Sequence, residues 1–223
     1  MTDIQKNILY VIYEAFGGAC SLRQALLLDE IGQKDIEELE KGGYIRIEDI
    51  GGTEFIVCRH CVYRMGGNDN QNYRLTTYNI KKSCLLAEFW LVKQDVHSVR
   101  VIAELLKQGT MHQQSLGPWE DYLSALHAQG CYEWFTIPEE GPRYMVLFPK
   151  SNDPLTLAKG IKKFFDEQGN FSDIAMIEPC LSVCVPNERI KEAVLKRIDA
   201  RYWWIQDRLE IFTLECPDTK DLI

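Results

Sequence analysis

The residues best suited to chemistry by type and spacing lie between positions 58 and 82. Cys58-Arg59-His60-Cys61 has the spacing of half a zinc site. Structural zinc takes about four ligands, and no second Cys-x-x-Cys occurs; Cys180 and Cys184 are separated by three residues and Cys216 stands alone. In an unbroken strand, positions 58 and 61 face opposite ways. The expectation is one thiol inward and one at the surface, with no bound metal and no cofactor.

Beside the cysteines runs a basic set. Arg59, Arg64, Tyr73, Arg74, Lys81 and Lys82 flank the turn-rich stretch Gly66-Gly-Asn-Asp-Asn-Gln-Asn72. The chain as a whole has a formal net charge of −8, which argues against a general nucleic-acid coat. Its distribution is uneven. Residues 1–54 hold five Lys/Arg against eleven Asp/Glu, whereas residues 55–107 hold eight against four. Cations that neutralise phosphates release counterions and bind in a salt-sensitive way, and tyrosine can pack on sugar or base. The local basic strip predicts DNA contact through Arg59, Arg64, Tyr73, Arg74, Lys81 and Lys82. The bland alternative is a solvated face that happens to be basic.

A second set of polar residues sits on the helix expected over Gln33–Lys41, whose outer positions are Gln33, Lys34, Glu37, Glu38 and Lys41. Two glutamates in a major groove repel phosphates, although glutamate can accept from cytosine N4. Arg23, Gln33 and Lys34 are therefore secondary candidates for groove contacts. A use of this region for dimer or partner contacts stands as the alternative.

Other chemistry has little support. His97, His112 and His127 lack ligand-like spacing, and neither a His-Glu-x-x-His nor a deaminase signature occurs. There is no phosphate-cradling GxxxxGK[ST] and no GxSxG around a serine. A metal-dependent nuclease needs strand carboxylates to hold the ion and a lysine to help place the attacking water. The single acid-x-Lys triplet is Asp218-Thr219-Lys220, after the last expected strand, and Glu133 and Glu178 have no such lysine. Trp203-Trp204, beside Arg201 and Tyr202, offers an interface anchor or, more blandly, a core tryptophan and a half-covered one.

These residues need elements to hold them. Apolar spacing at Ile4, Ile8, Val11, Ile12 and Ala15 predicts a first helix, capped by Asp3 and ended by Gly17-Gly18. Ser21 caps a second over Leu22–Leu28, and a third spans Gln33–Lys41 with Ile36 and Leu39 inward. Strands over Tyr44–Ile50 and from Glu54 follow, joined by Gly51-Gly52, and the second is expected to continue through Met65. Three short helices and a hairpin are the layout of a winged helix, assigned to residues 1–93 and closed by a helix over Asn79–Lys93. Residues 94–223 are expected to form an α+β domain. Its elements are a helix after Gly117-Pro118, a hairpin of Cys131–Ile137 with Arg143–Pro149, and a helix from Asp153-Pro154. One strand over Asp173–Val185 broken near Pro179, or two strands, a helix capped by Asn187 and a strand at Leu209–Glu215 complete it.

The length suits two small domains. No apolar run approaches the ~18–20 residues of a membrane span, and the polar N-terminus carries no signal-peptide core. Cys20, Cys84, Cys131, Cys180 and Cys184 lie in apolar elements, where reduced cysteine behaves as a small hydrophobe. A cytoplasmic protein with free thiols and no membrane contact is expected.

The segments Leu39-Glu-Lys-Gly-Gly-Tyr-Ile-Arg-Ile47 and Tyr73-Arg-Leu-Thr-Thr77, the latter opening a helix, resemble the winged-helix start of the replication-relaxation family. That resemblance extends to proteins of Firmicutes plasmids and mobile elements. It implies a winged helix followed by a domain akin to restriction endonucleases, here without the acid-x-Lys signature. It implies DNA handling without hydrolysis, by an accessory or regulatory protein. A homodimer is expected because paired modules add contacts and avidity.

Overall fold

Helix starts set the local frame of the chain. Thr2, rather than the expected Asp3, caps α1 (Asp3–Tyr10). Its Oγ1 accepts from the Gln5 amide at 3.2 Å, while Gln5 Oε1 accepts from the Thr2 amide at 2.9 Å. This reciprocal pair satisfies two donors that the first turn leaves without partners. A π-helical turn over Val11–Ala15 continues the helix. Ser21 repeats the device at α2 (Leu22–Leu26), exchanging hydrogen bonds of 3.1 and 3.0 Å with Gln24. The computed structural model describes residues 1–65, 73–114, 136–137, 144–147, 152–168, 180–198, 205 and 207–222.

The protein is α+β, and its chain divides into two units. One comprises Met1–Leu106 with Glu215–Ile223, the other Lys107–Leu214. The break expected between 93 and 94 therefore falls elsewhere. Val99, Ile102 and Ala103 of α6 (Val99–Gln114) are buried. At the other end of the chain, Cys216 and Leu222 pack with Phe55, Ile80 and Cys84, so the C-terminal stretch returns to the first unit.

In the first unit, β1 (Ala19–Ser21), β2 (Ile45–Ile50) and β3 (Thr53–Cys58) form an antiparallel sheet in the order β1-β3-β2. Its register places Ala19 opposite Val57 and Ile47 opposite Ile56. Gly51 and Gly52, at φ +66° and +83°, form the tight turn between β2 and β3. A two-residue loop with both φ values positive matches the twist of the strands it joins. α3 (Gln33–Lys41) lies between α2 and the hairpin and buries Ile36 and Leu39.

The strand expected through Met65 stops at Cys58, and His60–Met65 forms a short helix, α4. Val62 and Tyr63 are consecutive and both buried. A strand would send neighbours to opposite faces, whereas a helical turn can bury both. The bond from the Val62 amide to the Arg59 carbonyl, 2.9 Å, closes that turn. α5 (Thr77–Glu88) starts two residues before the expected Asn79, because Thr76 accepts from the Asn79 amide as its cap. A π-helical turn over Phe89–Lys93 follows.

In the second unit, β4 (Thr136–Ile137) and β5 (Tyr144–Leu147) pair antiparallel, as the expected hairpin requires. β5, β6 (Cys180–Val185) and β7 (Leu209–Thr213) run parallel, giving the order β4-β5-β6-β7. Parallel neighbours need crossovers, and α7 (Pro154–Gln168) and α8 (Glu188–Leu195) lie in the two connections. Leu181, Val183 and Val185 project from β6 at the two-residue period into a cluster with Leu157, Ala158, Ile161 and Phe165 of α7. No helix among the described residues is long and apolar enough to cross a membrane.

Candidate nucleic-acid interface and a buried carboxylate–thiol cluster

The basic residues expected to act together are held by several elements of the first unit. Two tyrosines show how. Tyr63 of α4 packs edge-to-face on Tyr13, with ring centroids 4.9 Å apart. Tyr73 shares a hydrogen bond with Ser83 Oγ of α5 at 3.2 Å, and that hydroxyl reaches the Gly17 carbonyl at 3.4 Å. Both tyrosines close over Gly18, where an added Cβ would collide with the Tyr63 hydroxyl and the Tyr73 ring. Gly18 also has φ +99°, so two independent constraints require glycine there. Burial pushes both phenols well above their ordinary pKa.

Arg64 and Arg74 each follow one of these tyrosines and are exposed; Lys81 and Lys82 immediately precede Ser83, the first exposed and the second half-buried. The segments carrying these four cations therefore converge around Gly17-Gly18. Tyr73 itself is committed to packing and to Ser83. Arg59 is exposed but lies toward β2, where its amide donates to the Tyr44 carbonyl at 2.9 Å and its Nε to the Ile45 carbonyl at 3.1 Å.

The secondary groove candidates are placed differently. Gln33 is exposed at the start of α3. Lys34 Nζ lies 3.8 Å from Glu38 Oε1, and Glu38 Oε2 also accepts from Gln5 Nε2 at 2.7 Å. Glu37 and Glu40 share the exposed side of α3. The β2–β3 turn is flanked by Asp49 and Glu54, both exposed. Arg23 is turned into unit 1. Its Nε donates to both Asp218 carboxylate oxygens at 3.0 and 2.9 Å, and its Nη2 to Glu88 Oε2 at 2.8 Å. A guanidinium bound in that way is not presented to a groove.

The Cys-x-x-Cys pair spans the end of β3 and the first turn of α4, not a continuous strand. Cys58 is buried, and burial pushes its thiol well above the ordinary range. Cys61 is half-buried and donates to the Gly43 carbonyl at 3.4 Å. His97 bridges the Leu27 carbonyl and Asp95, at 3.1 and 3.3 Å.

Arg23 leads to a constellation that sequence spacing does not reveal. Glu88 Oε, Cys216 Sγ and Asp218 Oδ all lie within 4.8 Å of one another. Gln24 Nε2 donates to the Cys84 carbonyl at 2.7 Å and to Glu88 Oε2 at 2.7 Å, and approaches Cys216 Sγ at 3.5 Å. Ser21 Oγ donates to Asp218 Oδ2 at 2.6 Å. The Cys84 thiol lies against that of Cys216. The hydrogen bond between them lowers the pKa of Cys216 and, with burial, raises that of Cys84. A hint was present in α5, where Cys84 and Glu88 are four residues apart on a buried face. Cys216 and Asp218 lie more than a hundred residues further along the chain, and Arg23 and Gln24 about sixty residues before, which no local pattern reports.

The acid-x-Lys triplet belongs to the same stretch. Asp218 is held by Ser21 and Arg23, and Lys220 Nζ pairs with Glu215 at 3.1 Å. It belongs to the first unit, whereas the β4-β5-β6-β7 sheet on which a nuclease would need it belongs to the second. Glu133, Glu178, His127, Arg201, Tyr202, Trp203, Trp204, the 66–72 loop and the helix expected after Pro118 lie outside the described residues, as does the His112 side chain. No family model, no curated protein and no solved structure matches the chain.

Proposed function

We propose that the first unit is a winged helix that binds the backbone of double-stranded DNA, and that the protein is a non-enzymatic accessory or regulatory factor. The element order α1-β1-α2-α3-β2-β3, with its three-stranded sheet, supports the winged-helix reading. The observation that carries DNA binding is that the segments bearing Arg64, Arg74, Lys81 and Lys82 meet around Gly17-Gly18. The acidic exposed side of α3 and the engagement of Arg23 direct the contact away from α3 and toward the α4–α5 side. Such a contact reads phosphates and carries little sequence information. The resemblance of Leu39–Ile47 and Tyr73–Thr77 to replication-relaxation proteins supports a role in plasmid or mobile-element maintenance. The parallel β5-β6-β7 core with its helical connections is compatible with a nuclease-like second domain that has lost catalysis.

Fluorescence anisotropy of a labelled duplex, titrated across a range of salt, tests this. Replacing Arg64, Arg74 and Lys81 by alanine is expected to reduce the slope of log affinity against log salt by about one unit per cation removed. No binding at low salt, or binding unaffected by the triple replacement, overturns it.

A second reading rests on the same α3 surface. Glu37, Glu38 and Glu40, with Asp49 and Glu54 beside the hairpin turn, suit contact with a basic surface of a protein partner, including a basic face of a second copy of this chain. Under that reading the protein sediments as a dimer, and Glu37→Lys dissociates it without changing the fold. A monomer at high protein concentration excludes the self-contact.

A further inference from the structure

We propose that Cys216, Asp218 and Glu88 form a binding site for a thiophilic divalent cation of the zinc class, with the Cys84 thiol beside it as a further donor. The site lies wholly within the first unit and is independent of the nucleic-acid reading. Three features carry it. The three donor atoms already lie within 4.8 Å of one another. Small movements would bring them around one ion, since zinc–sulfur and zinc–oxygen bonds are about 2.3 and 2.0–2.2 Å. The donors are sheltered: Glu88 and Cys216 are each 4 % exposed. The donor chemistry is mixed, one thiolate and two carboxylates with a second thiol in contact, which suits a borderline-soft ion better than magnesium or calcium.

Charge points the same way. Among the described residues the two carboxylates face a single cation, the Arg23 guanidinium, which reaches them from a position 39 % exposed. A divalent ion would take the place of the Arg23 Nη2 contacts, and the partly exposed guanidinium would swing outward. On binding, the Cys216 S–H bond breaks, its proton passes to solvent and a sulfur–metal bond forms. Two carboxylates and one thiolate against the ion then leave a charge of −1, in place of the two carboxylates that Arg23 alone offsets before binding. Gln24, hydrogen-bonded to Glu88 and the Cys84 carbonyl, would orient the donors from outside the coordination sphere, as outer groups do at metal sites.

The test uses the full-length, fully reduced protein and Co²⁺ as a spectroscopic stand-in for zinc. The expected result is one saturable site with a thiolate-to-cobalt charge-transfer band, lost in Cys216→Ser and retained in Cys61→Ser. Asp218→Asn is expected to weaken binding by about tenfold or more, and Arg23→Met to tighten it by about tenfold through removal of the competing charge. A purely structural Arg23 would give no tightening. On the unmutated protein, Zn²⁺ is expected to slow alkylation of Cys216, read by peptide mass spectrometry. This measurement needs no variant to fold. The proposal is overturned by the absence of a saturable band in the unmutated protein. It is also overturned by a band that survives Cys216→Ser and disappears in Cys61→Ser, or by Zn²⁺ leaving Cys216 alkylation unchanged.

Discussion

The two units are held together by different physics. The second is built on an apolar cluster in which α7 and α8 pack on β6 and β7, with Phe165 1 % and Leu181 0 % exposed. The first also has an apolar core, and to the packing of Cys216 and Leu222 its closing contact adds a polar network: Arg23, Glu88, Asp218, Gln24 and Ser21 join α2, α5 and the C-terminal stretch. Apolar burial is non-directional and tolerates local rearrangement. A buried polar network depends on every member, because each group left unpaired costs the desolvation it suffered on folding. The second unit should therefore respond to lost volume and the first to lost partners.

The largest effect that sharpens this contrast is expected at Phe165. Phe165→Ala removes a fully buried ring and should destabilise the second unit by about 3–5 kcal/mol. Chemical denaturation followed by hydrogen exchange should show the loss in α7 and β6, leaving amides of β1 and β3 protected. A uniform loss across both units would break the contrast.

Next in size is Arg23→Met, which leaves Glu88 and Asp218 facing each other without a cation. Removing one member of a fully buried pair costs about 3–5 kcal/mol. Arg23 is partly exposed, so solvent screening reduces the expected loss to about 2–3 kcal/mol. A double-mutant cycle with Asp218→Asn should return a clear coupling energy. Additive effects would show that the stretch from Glu215 is held by Cys216 and Leu222 alone.

A smaller loss, about 1 kcal/mol, is expected from Asn187→Ala. Asn187 Oδ1 accepts from the Ile190 amide at 3.0 Å and caps α8. Because the cap is exposed and polar, the loss should appear as fraying of the first turn of α8, measured by amide exchange, and not as a cavity-like defect.

The smallest effect is set by pH at the start of α7. Hydrogen bonds from the Thr156 hydroxyl and then its amide hold Asp153 below its ordinary pKa. A lowered carboxylate pKa contributes stability that is present above the ordinary value and lost as pH falls through the folded one. Amides at the start of α7 should therefore exchange faster on acidification through that range. Asp153→Asn should remove the dependence.

Local reading of the sequence reached the elements whose causes are local. The Ser21 cap, the Gly51-Gly52 turn, the inward Ile36 and Leu39, the β4–β5 pairing and the Asn187 cap each depend on residues a few positions apart. Local reading failed between Arg59 and Met65, where the apolar run from Phe55 suggested one continuous strand. Only the packing of Tyr63 against Tyr13 and Gly18 selects a helical turn. It missed the surroundings of Arg23, a secondary candidate for a groove contact. A carboxylate 195 residues later claims its guanidinium.

Composition and short-range pattern by themselves determined an α+β chain with a basic middle segment, because caps, turns and side-chain periodicity act within a turn or two of backbone. Only the tertiary structure decided which cation-bearing segments meet, and that Arg23 is held by Asp218 and Glu88. It alone brought Glu88, Cys216 and Asp218 together. Electrostatic and metal-binding chemistry depends on distance in space, and chain closure places residues from opposite ends within a few ångströms at an entropic cost that grows slowly with loop length.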